Sequence, residues 1–212
     1  MSAIKSAVGA NVIIMVKMNL VDGNSSGITV EDSCIMACEF ASVGVDIIAL
    51  SGGLILENGL FMLRGQVPLR NMIEACCHDF LKRIALFLFG PLLIPYMPYS
   101  EMFFRIPARC VLESVKQWSN RQRSNQSDVK VCYIGGVQTY SSLETVISDD
   151  GFDFVQSGRA LLYDPKVVQQ WEEEERNKKF VSDCSIDSGC TRCNKCIVDA
   201  TMKQQPISCV EW

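Results

Sequence analysis

Two groups of residues in this 212-residue chain have the types and spacing to do chemistry. Cys190, Cys193, Cys196 and Cys209 form C-x2-C-x2-C-x12-C, three thiols in a tight loop and a fourth from beyond it. Sulfurs so spaced can enclose a soft metal, and both tetrahedral zinc and an iron–sulfur cluster accept such a set. The second group is a pair of short apolar runs that stop at glycine, one at Gly135-Gly136 and one at Gly158-Arg159. Glycine lets the backbone approach a bound group closely, and its N–H groups together with one guanidinium can hold a phosphate. Two such ends suggest a nucleotide or flavin site.

The elements that must position these residues read as alternating strands and helices. Residues 12–18 form a continuous apolar, β-rich run that reads as a strand buried on both faces and ends near Lys17. Thr29 and Asp32 then suit a helix start, with apolar residues at helical spacing up to Gly44. Residues 45–50 are a second strand closed by Ser51-Gly52-Gly53, and residues 54–70 read as a loop excursion. A helix within 99–120 carries Ala108, Val111, Leu112, Val115 and Trp118 on one face. The third strand is 129–134, followed by a helix from Ser141 with Glu144 as its capping partner and Leu143, Val146 and Ile147 facing inward. The fourth strand is 152–156, before a short closing helix within 161–171 and the charge run 172–179, which reads as solvated surface. Strand–helix alternation implies right-handed βαβ units and a parallel sheet, with ligands beyond the carboxyl ends of the strands.

Composition narrows the function classes. With 48% hydrophobic and 21% charged residues the chain is globular, and a net charge of -4 gives no basic field to collect nucleic acid. The start lacks a secretory signal, and no run reaches the roughly eighteen apolar residues a membrane helix needs. The nearest exception, residues 84–95 after Lys82 and Arg83, is short and broken by Pro91 and Pro95, so it reads as buried or interfacial. These features point to a cytoplasmic location, in which the eleven cysteines stay reduced. Cys34, Cys38, Cys76, Cys77, Cys110 and Cys132 then serve as small core residues, with Cys184 in a loop. His78, the lone histidine, reads as a surface or packing residue.

Several short motifs, in this order, resemble the C-terminal half of the Old Yellow Enzyme family, the NADH:flavin oxidoreductases built on an FMN-binding (β/α)8 TIM barrel. They are Val16-Lys17-Met18-Asn19-Leu20 with Asp22-Gly23 and Gly27, Gly44-Val45-Asp46 leading to Ser51-Gly52-Gly53, Ile134-Gly135-Gly136-Val137, and Gly158-Arg159-Ala160-Leu161 with Asp164-Pro165. The resemblance implies an α/β fold in which four parallel strands with helices are strands five to eight of the barrel. Residues 1–180 would be a partial FMN-binding barrel and 181–212 a Cys-rich C-terminal tail. It further implies that Gly135, Gly136, Gly158 and Arg159 clamp the FMN phosphate and that Lys17 lies by the pyrimidine end of the flavin ring. The activity implied is that of a flavoprotein oxidoreductase using NAD(P)H to reduce a small-molecule acceptor. The family's first four strands, with its substrate-binding polar pair and tyrosine, have no counterpart here.

The tail is similar to the four-cysteine segment that holds a [4Fe-4S] cluster after the barrel in trimethylamine dehydrogenase and bacterial 2,4-dienoyl-CoA reductase. This implies an iron–sulfur cluster on Cys190, Cys193, Cys196 and Cys209, with zinc as the alternative. Half a barrel leaves two open sheet edges and an uncovered apolar face. The open readings are therefore a working oxidoreductase, a truncated non-catalytic remnant or subunit that binds phosphate or metal, and a phosphate site of another α/β fold. A second copy or a missing half-barrel is the expected partner, with no membrane span and no nucleic acid.

Overall fold

The computed structural model describes residues 2–9, 11–54, 58–121, 128–177 and 186–211. In chain order the elements are α1 (Ser2–Val8), β1 (Met15–Asn19), α2 (Val30–Ser42), β2 (Ile47–Ser51), α3 (Leu69–Ala75), α4 (Phe80–Leu93) and α5 (Arg105–Arg121). There follow β3 (Lys130–Ile134), α6 (Tyr140–Glu144), which continues as a π-helical turn over Thr145–Asp149, β4 (Phe154–Gln156), α7 (Arg159–Tyr163), α8 (Val167–Asn177) and α9 (Lys195–Met202). They divide between two compact units. The first is Met1–Leu54, Glu101–Val137 and Ser141–Ser157; the second is Ile55–Ser100, Gln138–Tyr140 and Gly158–Trp212.

The first unit carries one four-stranded parallel sheet in the order β1-β2-β3-β4. The fold is α/β, and four successive parallel strands in chain order are what half of a (β/α)8 barrel would show. Alternation along each strand sorts the side chains onto two faces. Ile48, Leu50, Val131 and Tyr133 share a face that is almost wholly buried. Helices α2 and α5 pack on one another, and α5 buries Ala108, Val111, Leu112 and Val115 as its spacing requires, leaving Trp118 half-buried.

The opposite face is open at its margins. Met15 and Phe154, on the edge strands, are each 46% exposed, while Ala49 and Cys132 between them are buried. Gln156 Nε2 of β4 stands 3.9 Å from Met15 Sδ of β1, so the sheet curls enough for its two edge strands to meet through side chains across this face. The expectation of a first strand buried on both faces is thereby corrected. Pairing starts at Met15, Val12 and Ile13 are exposed, and Lys17 lies mid-strand opposite Ala49 on the open face.

Local chemistry fixes the first βα unit. Thr29 caps α2 by accepting from Asp32 N–H, and the Asp32 carboxylate accepts from Thr29 N–H, a reciprocal box that satisfies two end donors. These bonds hold the Asp32 carboxyl below the ordinary aspartate range. Ser33, wholly buried in the first turn of α2, donates its hydroxyl to the Leu20 carbonyl at 2.6 Å. The helix expected from Ser141 begins one residue earlier, at Tyr140. Val146 is buried in the π-helical turn that continues it, whereas Ile147, expected to face inward, is 37% exposed.

In the second unit α3 packs on α4, with Leu69 over Gly90, where an added Cβ would come within 2.5 Å of Leu69. The single closing helix expected near 161–171 is two, α7 and α8, of which Ala160, Val167 and Trp171 are buried. Trp171 Nε1 donates to the Ile186 carbonyl, and Glu174, from the acidic run, accepts from Ile186 N–H at 2.8 Å. Among the described residues no helix is long and apolar enough to cross a membrane.

Candidate functional site

In the first unit the ends of β1, β2 and β3 converge in three tight turns. Asn19 donates to Asp22 at 2.7 Å and to the Gly53 carbonyl, and Asp22 accepts from Ile28 N–H at 2.8 Å, which closes the 22–28 loop on itself. A Cβ on Gly27 would strike Asp22, so the loop leaves no room there. Gly52 and Gly135 flank the buried ring of Phe104, and a Cβ on either would come within 2.6 and 2.9 Å of it. Gly135 and Gly136 have φ of 136° and 78°, a left-handed region in which a side chain would be strained. The Gly136 carbonyl accepts from Met102 N–H, and the Tyr133 hydroxyl donates to the Gly135 carbonyl at 2.7 Å. Burial raises the Tyr133 pKa far above its usual value, so that hydroxyl keeps its proton. Lys17 is exposed on the open face and makes no hydrogen bond or ion pair among the described residues.

The cysteine loop of the second unit is held by a segment whose sequence carried no signal. Gln66 N–H donates to the Arg192 carbonyl at 3.0 Å. Gly65, at φ 123°, lies so close that a Cβ would meet that oxygen at 2.5 Å. Asn194 is 2% exposed and left-handed at φ 58°; its Nδ2 donates to the Gln66 carbonyl at 3.0 Å and, more weakly, to that of Arg64 at 3.4 Å. Arg192 donates to Gln138 and Asp187 and stacks over Tyr99 at 4.6 Å. Burial works against its charge, but Asp187 and Tyr99 together outweigh it and leave its pKa raised.

The four thiols share one electrostatic neighbourhood. The Cys196 pKa is raised by burial and further by Cys193, Cys190 and Cys209. Lys195 binds Glu211 at 2.8 Å, which ties the chain just beyond Cys209 back to the loop. Among the described residues no three His, Cys, Asp or Glu side chains are already grouped to hold a metal ion. The donor set nonetheless suits a soft metal, since all four groups are thiols and cations stand beside them.

Gly158 and Arg159 belong to this second unit, while Gly135 and Gly136 belong to the first. Nothing lies within 4 Å of a Cβ built on Gly158, and its φ of -92° is open to any residue, so neither packing nor backbone calls for glycine. That leaves space at the end of the fourth strand which a bound group can fill. Arg159 Nη1 donates to the Arg64 carbonyl at 2.9 Å and to Asn194 Oδ1 at 2.8 Å. Burial lowers its pKa, and the thiols of Cys190 and Cys196 oppose that shift. The residue expected at a phosphate is therefore also a structural part of the cysteine loop.

Of the six cysteines expected to fill the core, only Cys132 is buried. Cys34, Cys38 and Cys76 are half-buried, and Cys77 and Cys110 are exposed. Cys184 lies outside the described residues, as do Lys178 and Lys179. His78 is exposed between α3 and α4. Arg64, Gly65, Gln66, Tyr99 and Asn194 were missed by the sequence reading, which treated 54–70 as a plain excursion.

Comparison with known proteins adds one relative. Over 197 residues the chain is 30% identical to 4,4'-dithiodibutanoate disulfide reductase of Rhodococcus erythropolis. The match covers 92% of this chain and 43% of the relative, so the chain spans less than half of that protein's length. No family model matches.

Proposed function

We propose that this chain forms part of an oxidoreductase, specifically an FMN-dependent enzyme of Old Yellow Enzyme type that uses NAD(P)H to reduce a small-molecule acceptor. The observation that carries the reading is the union of Arg159 with the cysteine loop. Arg159, a cation of the kind that binds phosphate, and Asn194, which stands between Cys193 and Cys196, share one hydrogen-bonded cradle with the Arg64 and Gln66 carbonyls. Similarity to a disulfide reductase over most of the chain supports a redox role and makes an organic disulfide one acceptor class to test.

In this reading FMN, when bound, supplies the hydride chemistry, and the chain supplies binding and orientation. Gly158 leaves room for a phosphate, and the remaining guanidinium nitrogens of Arg159 donate to it. Gly135 and Gly136 keep the end of β3 free of side chains. Lys17 offers an exposed cation on the open face of the sheet, suited to negative charge on a flavin ring. Cys190, Cys193, Cys196 and Cys209 provide the thiolates for a [4Fe-4S] cluster, with zinc as the alternative. The proton of the Tyr133 hydroxyl stays on its oxygen and is committed to Gly135.

A second reading is a subunit or remnant that binds phosphate or metal without turnover. It is favoured by the two edge strands of the sheet, β1 and β4, each paired on one side only among the described residues. Absorption spectra of the anaerobically purified chain separate the two. A flavin band that bleaches on NADH or NADPH supports the enzyme. A folded, colourless protein that takes up neither FMN nor iron and sulfide overturns it.

A further inference from the structure

The second unit presents an apolar surface on one of its helices. Helix α4, Phe80–Leu93, buries a single residue, Gly90, against Leu69 of α3. Placed at about 100° per residue, Leu86 and Gly90 lie on the protected side. Phe80, Leu81, Phe87, Leu88, Phe89, Leu92 and Leu93 occupy an arc of roughly 240° on the other side, and their exposures run from 52% to 83%. Isolated exposed leucines need no explanation, but a contiguous patch of this kind marks a binding surface.

Charge placement decides what the surface meets. Arg83 falls at one margin of the arc and Lys82 just inside the other edge, between Phe89 and Leu93, and long cationic side chains so placed reach a polar interface while their stems lie on apolar ground. No Asp or Glu occurs from Phe80 through Ser100. Asp79 precedes the helix, caps it through Lys82 N–H and pairs with Lys82 at 3.0 Å, so its charge is used locally. Arg83 makes no ion pair among the described residues. Fourteen residues span about 21 Å, short of the roughly 30 Å of a bilayer core. Pro91 interrupts the backbone bonding, and Tyr96 beyond the helix is 65% exposed, a ring suited to the headgroup level. The helix can lie in a membrane surface but cannot cross it.

We infer that α4 is an in-plane membrane anchor, which seats its apolar arc in the acyl boundary of a bilayer with Lys82 and Arg83 at the headgroups and a preference for anionic lipid. The step is non-covalent and independent of flavin or metal at the other sites. Such an anchor would hold the second unit at a lipid surface, where apolar acceptors concentrate.

Flotation of the full chain with vesicles tests this, using phosphatidylcholine alone or with phosphatidylglycerol. Wild-type protein should float with both, more strongly with the anionic mixture. Arg83→Gln should weaken binding to the anionic vesicles roughly fivefold, the factor for one cation near a charged surface, and leave binding to phosphatidylcholine unchanged. Leu88→Glu with Leu92→Glu should abolish flotation while circular dichroism stays that of wild type, since both positions are solvent-exposed. Failure of the folded wild-type chain to float overturns the proposal, as does flotation that ignores the double substitution. Light scattering tests a second copy as the occupant: self-association lost in the double variant, without vesicle binding, would assign the patch to that copy and refute the anchor.

Discussion

Arg159 Nη1 and Asn194 Oδ1 are 2.8 Å apart across thirty-five residues of sequence, joining the start of α7 to the turn between Cys193 and Cys196. Asn194 spends its other side-chain atom, Nδ2, on the Gln66 and Arg64 carbonyls, so one buried amide holds three partners. Asn194→Ala should loosen the loop for two reasons. An alanine at φ 58° carries a left-handed cost of about 1–2 kcal/mol, and the stranded partners add desolvation of about 1–3 kcal/mol. Iron or zinc retention after dialysis against a chelator should fall in Asn194→Ala and recover only partly in Asn194→Gly, which relieves the backbone alone. Equal retention in all three proteins would show that the amide does not organise the thiols.

Gly65 approaches the loop from its other side. A Cβ there would sit 2.5 Å from the Arg192 oxygen that Gln66 N–H binds, on a backbone at φ 123°. Gly65→Ala should cost about 1–3 kcal/mol and expose the cysteine loop to alkylation, read by mass spectrometry of Cys190 and Cys193. Unchanged labelling would mean the 64–66 segment yields without disturbing the thiols.

Arg105 grips Asp150 with two bonds of 2.7 and 2.9 Å, and that carboxylate side chain is only 2% exposed. Removing the guanidinium leaves a buried charge that Arg109, 3.5 Å away, neutralises in part. Arg105→Met should therefore destabilise by about 2 kcal/mol, below the range for a fully enclosed pair. Arg105→Lys should recover less than half of that, because an ammonium cannot make the forked contact. Urea denaturation of the three proteins measures it.

Much of the sheet was legible because parallel strands advertise themselves as apolar runs closed by glycine, and the Thr29 and Asp32 pair announced the start of α2. The open face was not legible. Met15 and Phe154 look like core residues in sequence, and their exposure follows from sheet curvature and edge position, which local patterns do not encode. At the candidate site the thiol spacing was readable because metal chemistry fixes it. The cradle at Arg64, Gly65 and Gln66 was not, because it works through carbonyls and one N–H that any residue type possesses. Arg159 was readable as a cation at a strand end; its bond to Asn194 depends on chain reversal between distant segments.

Acid should unlock the first unit at Asp46. Its carboxylate accepts from Ile14 N–H at 2.8 Å and pairs with Lys5 at 3.3 Å. The bond from Ile14 N–H, chiefly, and the Lys5 contact hold its pKa below the ordinary aspartate value. A carboxyl with a depressed folded pKa adds stability above its unfolded value of about 3.9 and loses it as pH falls through the lower folded value. Asp46→Asn should flatten the acid limb of a stability–pH curve below that value and lower the plateau at neutral pH. An acid limb as steep as wild type would place the responsible carboxyl elsewhere.

Cys132 offers an internal test of sheet integrity. It sits mid-strand on β3, 1% exposed, and burial pushes its thiol up to about 11. Alkylation requires thiolate, so at neutral pH both the protonation state and the packing protect it. Exposed Cys77 and Cys110 should react with iodoacetamide in the native state, whereas Cys132 should react only as the sheet opens. Its labelling should then follow the global unfolding transition in urea, at the same midpoint. Labelling of Cys132 well below that midpoint would mean that the β2–β3–β4 pairing frays before the rest of the unit, and that the open face exposes the strands themselves as well as their side chains.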